Sequence, residues 1–435
     1  MELIDEILRA SNLTLASRDV IRNKGAGGID GMQVEELKDY LDENRESLIN
    51  QILKCQYIPQ PIRGKEIPKW NGKFRTLGIP TVVDRMLQQA VMRVIMPKYE
   101  YEFSTYSYGF RPQRNAHQAI AKSLQYINQG YQNIVEIDLK GFFDEVDHVL
   151  LLQLLYRKIK CKATMALIRR WLRAPIEQNG RLVKRRKGVP QGSPISPLLS
   201  NIILHELDAY MEDKGMNFVR YADDFSIYCK TKSQAKLQGN EVFKFLRDKL
   251  RLPINRDKSG IRRPLNFQIL GYGFVPTYRK GEKGKYQLVV TKKRWESLKS
   301  RLKEITRKTT PMSFNERIEK INQVIRGWIN YFKYASIQQK LKVLDGWLRN
   351  RLRYCIWHHW KKPERKRKNL IRLGIEQEMA YSWSRTRMGG WAVAQSPILG
   401  TTITLKRLTK RGYVSMNSLF IQVTKDYKNS LFPMM

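Results

Sequence analysis

The chain has 435 residues and sets 80 Lys and Arg against 40 Asp and Glu, a formal charge of +40. That excess exceeds any solubility need and points to a polyanion held through phosphate contacts, while 42% hydrophobic and 10% aromatic residues exclude a short histone-like or ribosomal binder and fit a folded enzyme of two or three compact units. Cys55, Cys161, Cys229 and Cys355 form no CxxC pair, which argues against a zinc site or disulfide framework, and the acidic start and lack of a long apolar run argue against secretion or a membrane span, so the expected location is a reducing cytoplasm, on the nucleoid when DNA is bound.

In chain order, Leu3, Ile4, Ile7, Leu8 and Leu13 recur at helical spacing before Gly25, Gly27, Gly28 and Gly31 interrupt with a mobile loop. Met32 to Cys55 reads as amphipathic helix. Residues 63–80 form two strands around an Asn71-Gly72 turn, with Arg63, Lys69, Lys73 and Arg75 projecting from a short basic hairpin. Residues 81–130 read as helical apart from Tyr106 to Pro112, where Arg111 beside Tyr108 and Phe110 fits either core filling or a nucleic-acid backbone contact. Asn133 to Leu139 is a short strand with Asp138 near its C-terminal end. Gly180 to Gly188 looks like a second basic hairpin, and Gln191-Gly192 opens a helix whose buried face carries Leu198, Leu199, Ile202, Ile203, Leu207 and Tyr210.

Phe218 to Cys229 reads FVRYADDFSIYC, two β-prone runs flanking Ala222-Asp223-Asp224, hence a hairpin with carboxylates at its tip. An isolated Asp-Asp pair in a turn is commonly a solvated Asx turn. If the Asp138 strand pairs with this hairpin, however, Asp138, Asp223 and Asp224 converge, and three carboxylates suit two magnesium ions. Leu270-Gly271-Tyr272 is a strand whose glycine permits a close backbone approach. Three amphipathic helical stripes follow, from Trp295, Phe314 and Ile337. Arg349 to Arg372 then holds ten Lys and Arg and one acid, interleaved with Tyr354, Trp357 and Trp360 as in RNA-stacking surfaces. Residues 373–435 include a Thr-rich, strand-like run.

Asp138 with Phe142-Phe143, Gln191-Gly192-Ser193-Pro194-Ile195-Ser196-Pro197-Leu198-Leu199-Ser200-Asn201, Tyr221-Ala222-Asp223-Asp224 and Leu270-Gly271-Tyr272 stand in the order of the blocks of a reverse transcriptase, and the chain most resembles the reverse transcriptase/maturase of bacterial group II introns, of the type lacking an endonuclease domain. The resemblance implies an α+β right-hand polymerase: N-terminal extension and fingers over 1–130, palm with antiparallel sheet and YADD hairpin over 131–290, a three-helix, maturase-like thumb over 291–348 and a basic nucleic-acid-binding domain over 349–435. It implies Asp138, Asp223 and Asp224 as catalytic metal ligands for two Mg2+ ions. It places Lys69, Arg75, Phe143, Gln191, Gly192 and Lys258 around the incoming dNTP, with Phe143 beneath the sugar to reject a ribose. Template or primer would meet Gly27, Gly28, Arg63, Arg111, Gly271 and Tyr272, and intron RNA would meet Trp357, Arg365, Lys366, Arg367 and Lys368. The implied partners are intron RNA, an RNA template, a DNA or RNA primer, target DNA and dNTPs, with monomer and dimer both open. The rival readings are a splicing maturase without an essential polymerase role, and a domesticated reverse transcriptase in host defence or repair.

Overall fold

The computed structural model describes residues 2–68, 72, 74–278 and 282–428. The chain parts into a compact unit of Met1–Pro264 and another of Leu265–Met435, which differs from the expected breaks after 130, 290 and 348. Helix Gln338–His359 runs unbroken through residue 348 on a buried stripe of Leu341, Leu344, Leu348 and Leu352.

The first unit holds two four-stranded sheets. One has the order β2 (Phe74–Ile79), β1 (Ile62–Pro68), β4 (Ile176–Gln178), β5 (Arg181–Val183). The other runs β6 (Asn217–Tyr221), β7 (Asp224–Cys229), β3 (Asn133–Ile137), β8 (Gly260–Arg262), and every pairing in it is antiparallel. Ile134, Val135 and Ile137 of β3 and Phe225, Ile227 and Cys229 of β7 are buried, as expected of β-branched and aromatic side chains at the centre of a sheet. Helices Val82–Glu100 and Ser196–Asp213 contribute to the same core, the latter through Leu198, Leu199, Ile202, Ile203 and Leu207. Each such side chain contributes about 1.5–3 kcal/mol by leaving water. The expected hairpin over 180–188 lies a few residues earlier: β4 and β5 turn at Asn179-Gly180, both at positive φ (53° and 78°), the requirement of a tight two-residue turn.

The second unit begins with a small sheet, β9 (Gln268–Ile269), β10 (Tyr272–Pro276) and β11 (Tyr286–Val290), in the order β11-β10-β9. Among its described residues the remainder is helical. Lys292–Ile305, Phe314–Phe332 and Gln338–His359 are the three expected long helices. The Thr-rich run read as a strand is helix and turn instead: Thr402 is buried with its hydroxyl on the Ile398 carbonyl (2.6 Å), and Leu405–Lys410 is helical. Threonine's β preference yields there because its hydroxyl finds the carbonyl one turn back.

Candidate active site

Strand register alone brings the acids together. Ile137 pairs with Phe225, so continuing one residue sets Asp138 opposite Asp224. Tyr221 pairs with Asp224, which leaves Ala222-Asp223 as a two-residue turn, and Ala222 supplies the positive φ (58°) that such a turn demands at its first position. An alanine there carries a cost of roughly 1–2 kcal/mol relative to glycine, so the surroundings must impose the conformation.

The imposing group is Arg220, fully buried beneath the tip. Its guanidinium forks onto Asp208, with Nε to Oδ1 at 2.7 Å and Nη2 to Oδ2 at 2.5 Å, and Nη1 donates to Asn201 Oδ1 and to the Ala222 carbonyl, each at 3.0 Å. Asn201 in turn donates to the Gly109 carbonyl at 2.9 Å, and a Cβ at Gly109 would collide with the Ala222 amide nitrogen, so only glycine lets the 106–111 loop pass under the turn. Reading for chemistry missed this scaffold. The available signal was an arginine on the inward face of an otherwise apolar strand, two residues after the buried Phe218.

Around the acids, Asp138 Oδ2 accepts from Asn255 Nδ2 (2.9 Å) and lies 3.5 Å from Lys258 Nζ, while the Asp138 amide donates to Ser259 Oγ at 3.0 Å. Asn255 and Ser259 were not singled out in the sequence; Lys258 was, and the structure brings it to the aspartates. Burial first, then the charges of Asp223, Asp138 and Glu136, push the Asp224 carboxyl up to about 6, against the pull of Lys258. Burial also raises Asp223, with its own backbone amide and Arg75 opposing and Asp138 adding to the rise. Glu136, two residues before Asp138 and therefore on the same face, is raised by burial and partly relieved by Arg262 at 3.3 Å. Among the described residues, no three His, Cys, Asp or Glu side chains close into a finished metal-binding group. The three aspartates thus stand at neighbouring strand ends without closing into the finished metal centre expected, and Asp138 Oδ2 is engaged by Asn255 and Lys258. The donor set still suits a hard divalent cation: carboxylate oxygens whose mutual repulsion raises their proton affinity are what such an ion relieves.

The expected nucleotide residues gather at the same place. Arg75 donates through Nε to Gln191 Oε1 and acts on Asp223, and the Gly78 amide donates to the Gln191 carbonyl at 2.7 Å. Gly192, at φ 115°, packs against the Gly78 carbonyl with no room for a side chain. Phe143 is half-buried, edge-on to Phe142 (5.4 Å between ring centres), and its carbonyl accepts from Val189 at 2.6 Å, two residues before Gln191. Lys69 lies outside the described residues. Arg63 is exposed on β1 where that strand meets β4.

Three expected nucleic-acid contacts are structural in the first unit. Arg111 is buried and saturated by Glu100 (2.8 Å) and the Ser104 and Ser107 carbonyls (2.5 and 2.8 Å), which settles its two readings in favour of core. Gly27 and Gly28 are buried, Gly28 against the backbone of Thr81, and Arg85 holds the Ala26 carbonyl at 2.8 Å, so this loop is pinned by packing. In the second unit, Tyr272 is buried with its hydroxyl on the Tyr331 carbonyl, and Gly271 serves a tight turn at φ 88°. Trp357 is buried as well, with Lys366 over its ring at 4.4 Å. Arg365 to Lys368 do not form one surface, since successive helix residues point about 100° apart: Lys366 turns to Trp357, Arg367 to Tyr381 at 5.9 Å, and Lys368 to solvent.

Comparison with known proteins fits this geometry. Residues 67–274 match the family model described as reverse transcriptase (RNA-dependent DNA polymerase), and residues 295–374 match the group II intron, maturase-specific domain. The chain is 34% identical to protein YkfC of Escherichia coli over 57% of this chain and 76% of the relative, and 38% identical to the group II intron-encoded protein LtrA of Lactococcus lactis over 49% of this chain. The match spans about a third of the length of LtrA (36%). A solved partial Cas6-RT-Cas1–Cas2 complex aligns over 58% of this chain and 43% of that one, at 27% identity and a TM-score of 0.37.

Proposed function

The chain belongs to the group II intron reverse transcriptases, and from that premise we propose that it copies RNA into DNA at the Asp138, Asp223 and Asp224 cleft and that its second unit binds intron RNA in support of splicing and mobility. The reading rests on one observation above all: register and a buried arginine hold three aspartates at adjacent strand ends, beside Arg75, Gln191 and Lys258. Enzymes of this family use divalent metal ions. Asp138, Asp223 and Asp224 would hold two Mg2+ ions, which supply activation of a primer 3′-hydroxyl and neutralisation of the leaving pyrophosphate.

The protein's own groups supply the rest. Arg75, with Lys69, offers the forked and point charges that grip a triphosphate, a role supported by the hydrogen bond from Arg75 to Gln191 and by its pull on the Asp223 carboxyl. Lys258 holds positive charge beside Asp138. Phe143, on the one-turn helix beside the Gln191 loop, excludes the ribose 2′-hydroxyl by its bulk; with Phe143→Ala the ratio of ribonucleotide to deoxyribonucleotide incorporation should rise roughly tenfold or more, the scale of discrimination by side-chain shape. The primary test is extension of a primer annealed to an RNA template by the purified full chain. DNA synthesis that requires divalent metal is expected. Failure to extend under any metal condition removes the polymerase reading and leaves the RNA-binding maturase.

A further inference from the structure

A cavity of about 650 Å³ opens in the second unit between the loop after helix Lys292–Ile305 and the helices Gln338–His359 and Pro363–Arg372. Lys308, Arg365, Arg372 and Arg411 line it together with His358 and His359, and no acidic side chain does. Helical spacing sets Arg365 and Arg372 on one face, and Arg411 arrives from the turn after helix Leu405–Lys410 to lie over the Phe314 ring, 4.5 Å from its centre. The loop wall is built. Buried Arg317 gathers the carbonyls of Ile305, Arg307 (3.1 Å) and Thr310 (3.2 Å), and Cys355 donates to the Thr306 carbonyl at 3.2 Å. Desolvation first, then the charges of Lys308, Lys361, His359 and Lys366, lower the proton affinity of His358. A concave wall of one sign focuses its field on an anion. The volume exceeds what a bare phosphate fills and falls in the range of small-molecule pockets, and a guanidinium plane backed by an aromatic ring is a surface on which a base stacks.

We infer that this cavity receives one unpaired nucleotide of a structured RNA, its phosphate held by Lys308, Arg365 and Arg372 and its base laid on Arg411. The inference rests on the reading of this chain as a protein that binds intron RNA, and it specifies where and in what form the RNA is engaged. A continuous A-form helix cannot enter a hole of this size, whereas a splayed-out nucleotide can.

The test uses the full chain and three fluorescent probes: a short RNA hairpin with one bulged uridine, the same hairpin without the bulge, and the bulged hairpin in DNA. The bulged RNA should bind about tenfold more tightly than the hairpin without the bulge, as one stacked base warrants, with the bulged DNA measuring what the 2′-hydroxyl adds. The variant Arg365→Gln/Arg372→Gln/Arg411→Gln alters exposed side chains only; it should lose that preference, and its slope of log affinity against log salt should flatten by roughly 2. A control of equal charge, Arg326→Gln/Lys342→Gln/Lys406→Gln, should weaken all three complexes and keep the preference. Equal binding of the two RNA hairpins, or a cavity variant that keeps the preference, overturns the inference. Primer extension by the same preparation separates outcomes: normal extension without bulge preference sinks this site alone, while absent extension bears on the polymerase reading.

Discussion

At the hairpin tip of the first unit, charged side chains stand on a buried polar scaffold, with Arg220 tied to Asp208, Asn201 and the Ala222 carbonyl; from Arg349 to Arg372 in the second unit, charged side chains stand on helices whose buried faces are apolar. The acids are few and their positions are imposed from below. The bases are many, and several are spent on the fold: Arg351 holds the Thr306 carbonyl (2.8 Å), Arg353 the Ile403 carbonyl (3.0 Å), and Lys366 and Arg367 lie over aromatic rings. Charge that must meet reacting atoms needs a unique geometry, whereas charge that meets phosphates can be distributed and partly diverted to structure. Counting basic residues therefore overstates the phosphate contacts this stretch makes.

The sharpest break of the comparison is Asp223→Asn, which keeps size and removes one charge. Primer extension should fall by roughly a thousandfold or more, the several kcal/mol that charge stabilisation by a metal provides, while RNA affinity holds. Extension at the wild-type rate would end the assignment.

Arg220→Met probes the scaffold itself. Leaving Asp208 buried without its partner should cost about 3–5 kcal/mol in denaturant unfolding. Adding Asp208→Leu should restore most of that stability by removing both charges. Activity should stay low in the double variant, because the Ala222 carbonyl has still lost its donor; full activity there would reduce Arg220 to a packing role.

In the second unit, Trp357→Ala and Lys368→Gln should part company. The first empties a buried site and should cost about 3–5 kcal/mol of stability. The second should leave stability alone and flatten the salt slope of RNA binding by less than about 1. A Trp357 variant with normal stability and weakened RNA binding would return that ring to the surface.

The smallest expected effect is the pH dependence of metal-free protein. The folded chain holds the Asp224 proton to about pH 6, above the ordinary value of 3.8, so between these values the folded state binds protons that the unfolded chain has released. Stability contributed by this group is therefore fully present below the lower value and is lost as pH rises through the upper one. Asp224→Asn should flatten the unfolding midpoint across that window, and an unchanged slope would place its origin in another group.

Ordered motifs, charge excess and apolar periodicity sufficed to read the β3 and hairpin strands and the three long helices of the second unit, because each rests on local pattern or on pairing of neighbouring strands, whereas Arg75, Gln191 and Lys258 entered through the family resemblance, their contacts spanning more than a hundred residues. Burial of individual polar and aromatic side chains was not legible in this way. Arg111 read as well for nucleic acid as for core, while Tyr272 and Trp357 read for nucleic acid, since an arginine or an aromatic ring serves both and the choice depends on which carbonyls and rings fold against it. The same holds for Arg220, Asn255 and Ser259, whose roles come from partners 12 to 121 residues away in the chain. Local sequence determined which elements form and where the acids and bases lie; only tertiary packing decided which charges face solvent, because desolvation and hydrogen-bond satisfaction are properties of the assembled core.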